Sequence, residues 1–184
     1  PGGDTIRSTT HIFSGMEVAY PSKATTRIYF YDDPVSLIWF PSDHATSYEV
    51  AFTLVYEEFH NDDGLLLDSV TYSRSVRIDE LEWEKDRFKY QAFSAPVYGY
   101  FGRIIQEDIR IRYRKPVGLR LSITAADKDI SQYLTYARDD SNIQKVYTGN
   151  LSGAIGLIGS KQTITFPDLR LSNKAMDSLK AGSH

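Results

Sequence analysis

From Tyr48 to Tyr56 apolar side chains take every second position (Tyr48, Val50, Phe52, Leu54, Tyr56), while Glu49, Thr53 and then Glu57 keep the opposite parity. A period of two is the pattern of a strand with one buried face, and a helix cannot satisfy it. Just before it, Val35, Leu37 and Trp39 share one face of a second alternating run. Pro41 ends that run, and Ser42 to Ser47 supplies a short polar connection. Residues 35–58 are therefore predicted as two antiparallel strands around that connection.

The same reading extends along the chain. Thr25 to Tyr31 is a predicted first strand closed by the Asp32-Asp33-Pro34 turn signal, and Leu65 to Val70 and Tyr72 to Ile78 are further strand material. His60-Asn61-Asp62-Asp63-Gly64 is a turn of the Asx and Gly type. Val97, Phe101, Ile104 and Ile105 then switch to helical spacing, with Ser94 as the cap and Pro96 in the first turn. Ile109, Ile111 and Tyr113 alternate with Arg110, Arg112 and Arg114, and Val117, Leu119, Leu121 and Ile123 repeat the strand period. A short helix is predicted from about Asp129, on Ile130, Tyr133, Leu134 and Ala137. Residues 138–150 read as a polar loop, Thr163 to Leu171 as extended, and Ser172 to Leu179 as a last short helix.

These elements imply a mainly β, α+β chain: an antiparallel sheet of the fibronectin or immunoglobulin kind with two or three short helices. Residues 1–24 read as an N-terminal extension or trimmed linker, and 25–184 as one β-rich domain with a possible sub-boundary near 80–95. The 184-residue length allows one generous core. The opening PGGDTIRSTT resembles the trimmed start of a mature chain, and the closing AGSH assigns His184 no role.

Composition narrows the function classes. A net charge of −3 lacks the basic footprint of a nucleic-acid binder. With no cysteine, disulfides, thiolate metal sites and thiol nucleophiles are excluded together. Thirteen Tyr and nine Phe suit strands, and they also suit contact surfaces.

Candidate chemistry is sparse. Glu57, Glu58, His60, Asp62 and Asp63 are dense enough in oxygen to raise a calcium ion at the turn, but they lack the alternating ligand spacing of a calcium loop and read as a solvated hairpin. Arg110, Arg112 and Arg114, extended by Lys115 and Arg103, read as the solvent face of an amphipathic strand or as a contact for an acidic partner. Gly153, Gly156 and Gly159 fit neither a dinucleotide nor a phosphate loop and point to close backbone approach. His11, His44 and His60 sit in no catalytic motif, so no catalytic residue, metal or cofactor is assigned. Tyr98, Tyr100 and Phe101, or Tyr133 and Tyr136, are candidate aromatic platforms for a glycan.

Trp39, Pro41, Ala45, Tyr48 and Val50 form a W-x-P-x-x-x-A-x-x-Y-x-V arrangement that resembles the second and third strands of a fibronectin type III sandwich, where a Trp and a Tyr pack between sheets. A second resemblance covers roughly Trp39 to Leu171. The Y-E-V-x-F-x-L-x-Y-E-E run at Tyr48 to Glu58, the helix ending at Ile105 and the basic strand at Ile109 to Arg114 are similar, in this order, to uncharacterised Bacteroidota envelope lipoproteins. So are the segment from Asp127 to Leu134 and the Tyr147 to Ser160 run. This resemblance implies an outer-membrane lipoprotein, periplasmic or surface-exposed, with its lipid anchor outside this chain. It implies a non-catalytic accessory or binding module, whose partner is an outer-membrane protein complex or an extracellular polymer, with Arg110, Arg112, Arg114, Tyr98, Tyr100, Tyr133 and Tyr136 as contact residues. A glycan-binding surface is the alternative, and a hydrolase with an unrecognised carboxylate site ranks third.

Overall fold

The computed structural model describes residues 7–10, 13, 15–22, 25, 27–28, 30, 34–60, 63–78, 82–84, 86–105, 108–138, 149–152, 156–171 and 173–174. Among them the chain is mainly β, with antiparallel sheets and two helices. The strands are β1 (Glu17–Tyr20), β2 (Arg27–Ile28), β3 (Val35–Phe40), β4 (Ser47–His60), β5 (Leu66–Ile78), β6 (Glu82–Glu84), β7 (Arg87–Ala92), β8 (Ile111–Ala126) and β9 (Lys161–Leu171); the helices are α1 (Ser94–Ile104) and α2 (Lys128–Arg138). One sheet has the order β1-β3-β7-β6 and the other β2-β9-β8-β4-β5. Only the two-residue β2 runs parallel to its neighbour.

β3 and β4 bury the faces that the alternation predicts: Val35, Leu37 and Trp39 on one, Tyr48, Val50, Phe52, Leu54 and Tyr56 on the other. They do not, however, pair with each other. β3 lies between β1 and β7, and β4 lies between β5 and β8, so residues 41–46 carry the chain from one sheet to the other. The alternation fixes which face of a strand is buried and leaves its neighbour open. Pro41 cannot extend the ladder, and the corner is held instead by Ser42 N–H donating to the Tyr48 hydroxyl at 3.1 Å and by Thr46 N–H donating to Ala126 O at 2.9 Å. Trp39 and Tyr48 then meet across the core, with ring centroids 5.4 Å apart.

Other elements depart from the sequence reading. Within the segment read as an extension or linker, Glu17–Tyr20 pairs with β3 and Met16 is buried in the core. Leu65 to Val70 and Tyr72 to Ile78 join into one strand, and so do the two segments that make β8. The hairpin of β6 and β7 near residues 80–95, which carries little alternation, returns to β3. In α1 the cap position belongs to Phe93, without a side-chain capping bond; Ser94 is the first helical residue and is buried, while Val97 and Phe101 face the core as predicted. The Asp32-Asp33 turn, the loop over 139–148 and the helix from Ser172 lie outside the described residues, apart from helical Asn173 and Lys174.

Candidate functional site

The end of the five-stranded sheet at the β4–β5 hairpin gathers most of the side chains that the sequence singles out. Gly64 closes the turn with φ +68°, a conformation that favours glycine. Asp63 Oδ1 accepts from Leu65 N–H at 2.9 Å, the Asx pattern expected of this sequence.

The arginine row does not form one solvent face. Val55 pairs with Gly118 but Tyr56 with Pro116, so Val117 is an extra residue in β8. Phe59 pairs with Tyr113 but His60 with Ile111, so Arg112 is another. Each bulge shifts the parity of the strand. Above the first, Leu119, Leu121 and Ile123 point inward; below it, Pro116 and Arg114 do, while Val117, predicted as an inward residue, is 47% exposed. Pro116 explains the location, since a proline in an interior strand has no N–H to donate and is tolerated at a bulge.

Arg114 is consequently buried, with its Nε 2.7 Å from Glu58 Oε1, the residue opposite on β4. Glu58 continues the inward row of Tyr56 and is itself buried, so it does not belong to a solvated acidic turn. Beside this pair lie Tyr56 and Tyr72, their rings edge to face at 6.0 Å. Burial pushes the Tyr56 hydroxyl pKa far up; Tyr72 adds to the shift and Arg114 opposes it. Among the described residues that hydroxyl has no hydrogen-bond partner. Lys115 takes the opposite face of the sheet and pairs with Glu57 at 3.1 Å. Arg110 grips Asp108 through Nη2 at 2.6 Å, and its guanidinium and backbone N–H hold that carboxyl down to about 2. His60 Nδ1 lies 3.9 Å from Asp63. Asp62 lies outside the described residues, and among those described no group of three His, Asp or Glu side chains converges to hold a metal.

Around these pairs the surface is apolar. Phe59 and Tyr113 stack at 4.4 Å and 11° on the outer face, and Leu66 pairs with Phe59 from the other side. Leu65, Leu66, Leu67, Ile109 and Tyr113 are exposed, Ile109 at 92%. The sequence reading missed this cluster because its members come from two segments about 45 positions apart. Consecutive Leu65-Leu66-Leu67 was the available signal: three apolar residues in a row cannot all face inward on a strand.

The aromatic candidates scatter. Tyr98 donates its hydroxyl to Phe30 O and packs edge to face on Phe30, while Phe101 is fully buried. Tyr100 is half-buried under Arg74, whose guanidinium sits 5.4 Å from the ring. Tyr133 on α2 is 46% exposed, and the Tyr136 side chain lies outside the described residues. Arg103 on α1 is exposed.

A second polar centre sits at the opposite end of β8. Buried Asp127 caps α2 through Ile130 N–H at 2.9 Å, and accepts from Ser160 N–H at 2.6 Å and the Thr10 hydroxyl at 3.1 Å. It joins three chain segments, which makes it a clasp. Gly159 belongs to the same closure: a Cβ there would fall 2.5 Å from the Ile130 side chain, and one at Gly149 would meet the Gly156 carbonyl. Gly156 and Gly159 leave room for the Leu151 and Ile130 side chains, close approaches of the kind the sequence implies, while Gly153 lies outside the described residues. Burial raises the Asp127 pKa, but the four hydrogen bonds from Ile130, Ser160 (backbone and hydroxyl) and Thr10 outweigh it and hold the pKa below its ordinary value. Asp127→Asn is therefore expected to cost about 1–2 kcal/mol at neutral pH. A lowered folded-state pKa means that this advantage is present above the unfolded value of about 4 and is lost as pH falls through the folded value. Urea unfolding of both proteins between pH 7 and 2 checks it, and a pH-independent difference would contradict it.

Comparison with protein-family models, curated proteins and solved structures returns no match to this chain. The fold and its surfaces define the class: a two-sheet, mainly β protein whose exposed chemistry is concentrated at one end of the larger sheet.

Proposed function

We propose that this chain is a non-catalytic binding module that engages a partner protein through the hairpin end of its five-stranded sheet. The observation that carries the reading is the grouping of exposed Leu65, Leu66, Leu67, Ile109 and Tyr113 beside exposed Arg110 and Arg112. Apolar anchors with arginine at their margin are the composition of a protein contact surface. Asp108, Glu58 and Glu57 at this end are engaged in ion pairs with Arg110, Arg114 and Lys115, which favours a scaffold over a reaction centre. The envelope setting, the lipid anchor and the choice of an outer-membrane protein complex as partner rest on the resemblance drawn from the sequence. A glycan platform of Tyr98, Tyr100 and Phe101 is less favoured, since two of the three are committed to the interior.

The test uses the chain and a Leu66→Glu, Ile109→Glu variant as baits on solubilised outer membranes. Each anchor buried on binding is worth about 1.5–3 kcal/mol, so the variant is expected to recover the partner at least about tenfold less well. Both positions are exposed, and far-UV circular dichroism is expected to be unchanged. Equal recovery by the two baits would sink the hairpin-end reading.

A further inference from the structure

Each sheet has two edge strands, and three of these four are short: β2 has two residues, β1 four and β6 three. β2 reaches only Arg170 and Leu171, so residues 161–169 of β9 also lack a strand on that side among the described residues, but they carry Lys161 and Pro167. Short edges are a common protection against unwanted strand pairing. The fourth edge is β5, which runs for 13 residues. Among the described residues no strand pairs with it on the side away from β4. Leu66–Ile78 contains neither proline nor lysine, and its charged residues are Asp68, Arg74 and Arg77. Its Arg74 is drawn away from the edge toward α1, donating to Pro96 O and lying over Tyr100.

We infer that this edge pairs antiparallel with the β5 strand of a second copy, joining two five-stranded sheets across a twofold axis. The sequence of β5 is its own complement in the register centred on Ser73. In that register Thr71 faces Ser75 of the other copy and Ser73 faces Ser73, all on the outer, exposed side. Hydroxyl opposite hydroxyl is the rung this sheet already uses, at Thr53–Ser73 (2.8 Å) and Thr124–Thr163 (2.9 Å). On the inner side Val70 faces Val76, an apolar pair. A shift of two residues breaks the Val–Val match. Pairing Val70 to Val76 alone forms about seven backbone hydrogen bonds, within the range of roughly 10 ± 5 found at specific interfaces. An isologous contact needs no second surface and closes at two copies. It places the two hairpin ends far apart along the joined sheet, so the partner surface proposed above stays open.

The absence of cysteine from the chain makes the test clean. Ser73→Cys is expected to form a disulfide-linked dimer under mild oxidation. Thr71→Cys and Ser75→Cys are each expected to remain unlinked alone but to form a mixed dimer when combined, because each lies opposite the other and four residues from its own copy. Sedimentation of the unmodified chain at increasing concentration is expected to show a monomer–dimer equilibrium. In a Thr71→Lys, Ser75→Lys variant, lysine opposes lysine twice, which is expected to weaken the dimer about tenfold or more with unchanged circular dichroism. A monomer at about 100 μM, in the range of weak protein contacts, with no preference of the three cysteines for the stated pairs, would overturn the inference. So would a dimer that the lysine variant leaves intact.

Discussion

Replacing Arg114 with methionine is expected to destabilise the fold by about 3–5 kcal/mol, and Glu58→Met by a similar amount, because each single change leaves one charge buried without its partner. The pair sits on the inner face of the sheet at 2.7 Å, with both side chains about a tenth exposed. The double variant Glu58→Met, Arg114→Met is expected to be more stable than either single one and within about 1–2 kcal/mol of the starting protein, since well-packed apolar side chains can replace a buried ion pair at little cost. Urea unfolding of the four proteins closes the cycle and isolates the coupling. Losses that simply add would mean that the two charges are solvated and independent, contrary to their burial. Tyr56 and Tyr72 make the site more sensitive. Among the described residues the Tyr56 hydroxyl lacks a partner, and it would offer an unpaired guanidinium only a neutral acceptor in place of the Glu58 carboxylate.

The same pair shows how far the sequence could be read. Alternation along Tyr48 to Tyr56 assigns the inward row correctly, and it continues without interruption into Glu58. The sequence reading carries the strand through Glu58 but assigns its carboxylate to the solvated turn, because a carboxylate at an inward position looks like the start of a turn. Only the residue opposite it distinguishes the two, and register across a sheet is not written in one strand. On β8 the difficulty is different. Arg110, Arg112 and Arg114 share a parity in the sequence, yet a bulge residue at Arg112 and another at Val117 divide them between a turn, an exposed bulge and the core. Pro116 and Gly118 were the visible markers of irregularity, but they do not reveal which way the strand resumes. The helices were more legible: α1 and α2 form where the 3.6-residue periodicity places them, since a helix satisfies its backbone within its own segment. Tyr133 of the predicted α2 face is nevertheless exposed, and Ile105 lies past the end of α1. The mainly β class follows from local periodicity in the same way. The exposed cluster at the hairpin end was not legible, since Leu65–Leu67 and Ile109 come to the same end of the sheet only once β4 has placed its two neighbours.

The crossing from β3 to β4 predicts the second large effect. Trp39 is fully buried and touches Tyr48 at 5.4 Å and Phe88 at 6.1 Å, so it contacts a ring from the facing sheet and one from its own. Trp39→Ala is expected to cost about 3–5 kcal/mol, the sum of lost apolar transfer and the cavity left between two sheets that cannot both close on it. Trp39→Phe is expected to cost distinctly less. It removes volume but no hydrogen bond, because among the described residues the indole N–H has no partner. Ser36, one position along β3 from Leu37 and on the less buried face, gives the contrast: Ser36→Ala is expected to stay within about 0.5 kcal/mol. A loss that is largest for Trp39→Ala, smaller for Trp39→Phe and near zero for Ser36→Ala reports directly on two sheets sharing one core. If β3 and β4 were a simple hairpin in one exposed sheet, Trp39 would face no second layer. Its truncation would then cost little more than the change at Ser36, and denaturant midpoints for the three variants distinguish the two arrangements.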